Sequence, residues 1–104
     1  MTVSRPVATG TVRVVLPGVL RELADGAAEL TVPLGGGSLT VRQCLDAVAA
    51  DRPELGRRLR DETGALRRHV NVFVDGADIR SRDGLDTPLQ PGAVVHVLPS
   101  VAGG

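Results

Sequence analysis

Apolar residues recur at every second position in four separate stretches, the period of a strand with one face buried. In Thr11 to Leu16 (TVRVVL), Val12, Val14 and Leu16 share one face, and Thr11, Arg13 and Val15 the other. Glu29 to Leu34 (ELTVPL) alternates again, and its Pro33 marks an edge strand or a strand end. His69 to Asp75 (HVNVFVD) sends Val70, Val72 and Val74 one way and His69, Asn71, Phe73 and Asp75 the other. Ala93 to Leu98 (AVVHVL) sets Val95 and Val97 against Val94, His96 and Leu98, with Pro99 expected to stop the ladder.

A different period appears between the second and third stretches. Val41, Leu45, Val48 and Ala49 fall on one helical stripe, and Thr40 with Gln43 forms a capping-box pattern ahead of it. Pro53 ends this helix, because the residue before a proline is pushed out of the helical region. A second, shorter helical piece is expected from Pro53 to about Arg60, with Gly64 in the turn that follows. Pro17-Gly18 breaks the first strand and leaves an irregular stretch through Gly26; Gly35-Gly36-Gly37-Ser38 is a connector. Asp75-Gly76 predicts a tight turn and a short return strand over Asp78 to Arg80. Asp83-Gly84 and Pro88 punctuate a loop, and Pro91-Gly92 turns the chain into the last strand.

Two strands, a covering helix, then further strands is the element order of an α+β, β-grasp (ubiquitin-like) fold. A mixed sheet of four to five strands wraps one main helix, burying the face with Val12, Val14, Val70, Val72, Val95 and Val97. The expected organisation is a loose arm over residues 1–10, a domain over 11–98 and a flexible tail over 99–104. At 104 residues the chain supports one core.

Charge and composition narrow the function. Twelve basic and twelve acidic residues balance, which gives no electrostatic case for nucleic acid or an anionic membrane. Phe73 is the lone aromatic residue, so no stacking platform for single strands exists. The single Cys44 forms no internal disulfide and fits a reducing, cytoplasmic setting. All twelve basic residues are arginine, a bias that genome composition accounts for better than a need to keep lysine amines away from an activated C-terminus; with no lysine, the chain cannot build lysine-linked chains of itself.

Candidate chemistry inside the domain is thin. Gly35 to Thr40 sits where a phosphate loop would, but Thr40 replaces the third glycine of the dinucleotide fingerprint and the Walker lysine is missing. Cys44 lies within the helix beside its apolar stripe and reads as a core thiol. His69 and His96 could approach each other if their strands pair, yet two histidines and a distant cysteine make no zinc set. No hydrolase elbow or zinc-protease motif is present, so the expectation is no catalytic residue, no metal and no cofactor bound by this chain. Val15, Phe73, His96 and Leu98 share the face turned away from the helix and form a candidate docking patch. Arg57, Arg58, Arg60, Arg67 and Arg68 interleave with Glu54, Asp61 and Glu62 as a solvated face.

The sequence closes on Gly103-Gly104, a pair without Cβ atoms that can pass along a narrow channel. Together with the strand Val70-Asn71-Val72 ahead of Asp75-Gly76, the Pro91-Gly92 turn and the ending from Leu98-Pro99 to Val101-Ala102-Gly103-Gly104, it resembles the MoaD/ThiS family of ubiquitin-like sulfur carriers. Arg68-His69-Val70-Asn71 and the ending are most similar to the actinobacterial branch that feeds cysteine synthesis. The resemblance implies that Gly104 is joined to AMP by a ubiquitin-activating-type adenylyltransferase/sulfurtransferase using ATP and Mg²⁺, then becomes a thiocarboxylate. It implies a sulfur-accepting synthase, a pyridoxal phosphate enzyme in the cysteine branch, and a metalloprotease that frees the product. Pro99, Val101, Ala102 and Gly103 would thread into the partner, since Pro99 to Gly104 span at most about 20 Å when extended. The same ending also fits a ubiquitin-like modifier joined to other proteins through Gly104, a molybdopterin synthase small subunit, or an interaction module with incidental glycines.

Overall fold

The computed structural model describes residues 10–35 and 39–99. Strand β1 (Thr11–Val15) is followed by a single helical turn, α1 (Gly18–Arg21), and a 3-10 turn over Glu22–Ala24. Strand β2 (Glu29–Pro33) pairs antiparallel with β1, Val14 opposite Leu30. Strand β3 (Leu39–Thr40) leads into helix α2 (Val41–Asp51), and α3 (Pro53–Leu59) follows after one residue. Then come β4 (Val70–Val74), β5 (Ala77–Asp78), β6 (Pro88–Leu89) and β7 (Val94–Pro99).

The main sheet runs β2-β1-β7-β4-β5, with β1 and β7 parallel and the other neighbours antiparallel; β3 and β6 form a second, two-stranded sheet. This is a β-grasp. Parallel pairing of the first and last long strands puts β7 at the centre of the sheet, so the chain leaves the domain from its middle strand.

Helix α2 begins where expected. The Thr40 hydroxyl accepts from the Gln43 N–H at 3.1 Å, and Gln43 Oε1 accepts from the Thr40 N–H at 2.9 Å. Its apolar stripe buries Val41, Leu45 and Val48, with Cys44 beside them. Helix α3 adds Leu55 and Leu59, and all meet Val12, Val14, Val70, Val72, Val95 and Val97 from the sheet. Each such aliphatic side chain contributes about 1.5–3 kcal/mol on burial. The two helices approach closely at Gly56, where a Cβ would lie 2.5 Å from the Ala49 Cβ and 2.9 Å from its Cα. At the tight turn, Asp75 and Gly76 have φ of 48° and 90°, the paired positive values of a type I′ turn. Asp75 also holds β7: its N–H donates to the Val94 carbonyl at 2.9 Å, and its Oδ1 accepts from the Val94 N–H at 3.0 Å.

Four expectations need correction. The stretch after Pro17 is helical rather than irregular; Leu20 and Ala24 are buried there, and Arg21 Nε donates to the Leu16 carbonyl at 3.1 Å. One turn is too short to display a period. The return strand is Ala77–Asp78, because Asp78 Oδ1 accepts from the Arg80 N–H at 2.9 Å and curls Ile79–Ser81 into a 3-10 turn. The loop around Pro88 contains a strand, with Leu39 opposite Leu89 and Thr40 opposite Pro88.

Pro99 does not stop the ladder: it pairs with Val70 and belongs to β7 rather than to the tail. The bond from Asp75 to Val94 sets the alternation along the antiparallel pair, so Val70 and Pro99 fall at a non-hydrogen-bonded position. The N–H that proline lacks has no acceptor there, and β1 has already ended on the other side. Of the expected arm only Gly10 is described, and of the expected tail only Pro99.

Candidate functional site: the outer sheet face and the root of the tail

The face of the sheet opposite the helices is built by strand register. One row crosses all five strands: Glu29, Val15, His96, Phe73 and Asp78 are successive partners. Val15, His96 and Phe73 are half-buried against one another in the middle of this row. Acidic residues close its ends. Glu29 pairs with Arg13 at 3.4 Å, and Asp78 with Arg80 at 2.8 Å. The Arg80 guanidinium holds the Asp78 carboxyl below the usual carboxylate range, chiefly through its side-chain hydrogen bond, and is itself raised by it.

The next row toward the end of β7 pairs Leu98 with Asn71. Asn71 Oδ1 accepts from Arg80 Nη2 at 2.9 Å, so one arginine ties two rows together. Leu98 is 42% exposed, in contrast to its half-buried neighbours. The structure therefore brings Val15, Phe73, His96 and Leu98 onto one face and adds a polar border the sequence did not mark. Asp78 followed two residues later by Arg80, just after a tight turn, was the available signal for that border. Pro99 follows Leu98 directly; Val101, Ala102, Gly103 and Gly104 lie outside the described residues.

Other candidates separate. Strands β4 and β7 do pair, but Phe73 rather than His69 stands opposite His96. His69 precedes β4 by one residue, about 13 Å along the strand from that position at 3.2–3.4 Å per residue. The two histidines do not meet. Among the described residues no group of three His, Cys, Asp or Glu side chains could hold a metal ion.

Cys44 is fully buried, and burial pushes its thiol up to about 12, so it stays protonated and unreactive. Gly36, Gly37 and Ser38 of the connector lie outside the described residues. Within the arginine cluster, Arg60 pairs with Asp46 at 2.7 Å and Arg57 with Glu54 at 3.6 Å. Arg67 Nε donates to the Arg57 carbonyl at 2.6 Å. Asp61 is pulled below its usual range, first by the Thr63 hydroxyl, with the charge of Arg67 the smallest contribution. No described helix is long and apolar enough to cross a membrane.

Residues 14–104 match the ThiS family, from the middle of β1 to the last glycine. The chain belongs to the ThiS family. A sulfur carrier protein CysO from Mycobacterium tuberculosis is 34% identical over 95 residues, covering 89% of this chain and 98% of that protein. CysO from Amycolatopsis orientalis, solved in a complex with BexX, superimposes with a TM-score of 0.73 at 30% identity, covering 89% of this chain and 99% of that one. Small archaeal modifier protein 3 from Haloferax volcanii is 40% identical over 65 residues, 62% of this chain and 70% of that protein. These similarities set this ThiS-family chain among ubiquitin-like sulfur carriers of the CysO kind, a class of carriers rather than enzymes.

Proposed function

We propose that this chain carries sulfur on the carboxylate of Gly104. The observation that supports this most directly is a family match that runs through to Gly104 and, in CysO, spans nearly the whole of a named sulfur carrier. A carboxylate resists nucleophiles because its charge repels them and oxide is a poor leaving group. An activating partner of the ubiquitin-activating type joins the Gly104 oxygen to the α-phosphorus of MgATP and releases pyrophosphate. Sulfur from a donor then attacks the acyl carbon, AMP departs with the original oxygen, and a thiocarboxylate remains.

The domain's own residues position this chemistry. Residues 100–104 can extend about 17 Å beyond Pro99 at 3.3–3.6 Å per residue. That reach admits the terminus to a buried site while the sheet stays outside. Binding energy then comes from the outer face with Val15, Phe73, His96 and Leu98.

In the cysteine branch the sulfur passes to an amino-acid intermediate on a pyridoxal phosphate synthase, and a metalloprotease frees the extended product. Similarity to CysO supports this branch, and the complex of CysO with BexX supports delivery by docking to another protein. Intact-mass spectrometry tests the proposal. Incubated with its activating enzyme, MgATP and a sulfide source, the chain should gain the mass of one oxygen-to-sulfur exchange. The variant lacking Gly104 should fold normally and gain nothing. An unmodified parent chain in the presence of a competent enzyme rejects the reading.

The similarity to small archaeal modifier protein 3 favours a second reading, conjugation through Gly104 to amines of other proteins. Adducts in lysate that are cleaved back to free Gly104 would select it.

A further inference from the structure

Val19 and Leu98 are the exposed large hydrophobic residues among those described, 72% and 42% exposed, and they come from distant parts of the chain. Both line one cleft of about 130 Å³ at the root of the tail. Val19 stands on the α1 turn that the sequence did not reveal, and Pro99 completes the apolar wall. Arg58, Arg67 and His69 also line the cleft, from α3 and the approach to β4, and no carboxylate does. Arg58 and Arg67 form no ion pair among the described residues. Arg67 is nevertheless oriented, because its Nε is committed to the Arg57 carbonyl. An apolar floor whose rim arginines have no ion pair, Arg67 acting on Asp61 only at longer range, is unlike the sheet's middle row, where each acid at an end has its own arginine.

We infer that this cleft is the specificity contact for the activating enzyme, and that the enzyme fills it with an aliphatic side chain flanked by carboxylates. The inference rests on the proposed activation of Gly104 and names the chemistry of the partner segment that holds the tail in place. Charge complementarity selects the acidic flank: arginines without an ion pair beside an apolar floor gain from carboxylates as water is excluded. The position selects the partner's role. An enzyme gripping Val19 and Leu98 grips the domain one residue before Pro99, so the reach of residues 100–104 is measured from a fixed point.

The test is pyrophosphate exchange by the activating enzyme with the full-length carrier as substrate. Val19→Asp and Arg58→Glu alter exposed side chains and should leave folding intact, checked by thermal melting. Each should raise KM for the carrier about ten-fold with kcat unchanged, the loss expected for one central contact. Arg58→Lys should recover most of it, and Asp51→Asn, away from the cleft, should do nothing. The parent KM should also rise at about 0.5 M salt, where screening shortens the reach of charge to a few Å.

Unchanged KM in both cleft variants, with the parent active, overturns the inference and leaves the proposed function standing. No exchange with the parent chain overturns both. Movement of the Val19 and Arg58 resonances on deleting residues 100–104, with no enzyme present, would give the cleft to the chain's own end and overturn the inference.

Discussion

The two faces of β7 show how one strand serves two purposes. Val95 and Val97 are 0% and 1% exposed, packed against the helices, whereas Leu98, the next residue, is 42% exposed. His96 lies between these extremes, half-buried between Val15 and Phe73. The inner face is packed by shape, with aliphatic side chains from strands on both sides of β7 and from both helices above it. The outer face keeps apolar side chains without a covering layer and borders them with charge. A central strand with a sealed inner face holds its ends in place, so contacts made on the outer face need not strain the core.

Substitutions that separate the faces should differ in size and in kind. The largest effect belongs inside: Leu45→Ala should cost about 2–5 kcal/mol in chemical denaturation, as a deleted core leucine leaves a cavity under the sheet.

Next comes the buried thiol. Its folded value is raised by burial, so above its ordinary value near 9.0 the unfolded chain loses the proton while the folded chain keeps it to about 12. Stability should therefore fall with rising pH across that window, by up to about 1.4 kcal/mol per pH unit. The chain has neither lysine nor tyrosine to blur the titration. Cys44→Ala should lower stability at neutral pH yet flatten this alkaline slope. An unchanged slope would mean that the thiol is not what titrates.

A smaller effect is expected where the inner layer begins. Thr40→Ala removes the hydroxyl that caps α2 and should cost about 1 kcal/mol, read from the denaturation midpoint. The smallest shift in stability should come from the outer face: Leu98→Ser, within about 0.5 kcal/mol of the parent. The same variant should load sulfur more slowly at limiting carrier concentration. A large loss of stability there would erase the distinction between the faces.

Much of this division was legible in the linear chain. Alternation at Val12, Val14, Val70, Val72, Val95 and Val97 identifies the buried face, because a strand repeats every two residues. Thr40 with Gln43 marks the start of α2, because a cap is satisfied within four residues. Asp75-Gly76 marks its turn for the same local reason. The terminal Gly103-Gly104 pair carried the resemblance to sulfur carriers only together with the strand order, the Pro91-Gly92 turn and Leu98-Pro99 ahead of it.

What escaped the sequence depends on partners far away in the chain. Two-residue strands at Leu39–Thr40 and Pro88–Leu89 exist only because they find each other. Register alone put Phe73 opposite His96, kept His69 away, and let Pro99 stay in the ladder at a position that asks for no N–H. Val19 and Arg58 carried no sign of their common cleft. Interactions spanning a few residues left their mark in the order of amino acids; those that join separate elements took shape only when the sheet closed around β7 and packing chose which side chains would meet.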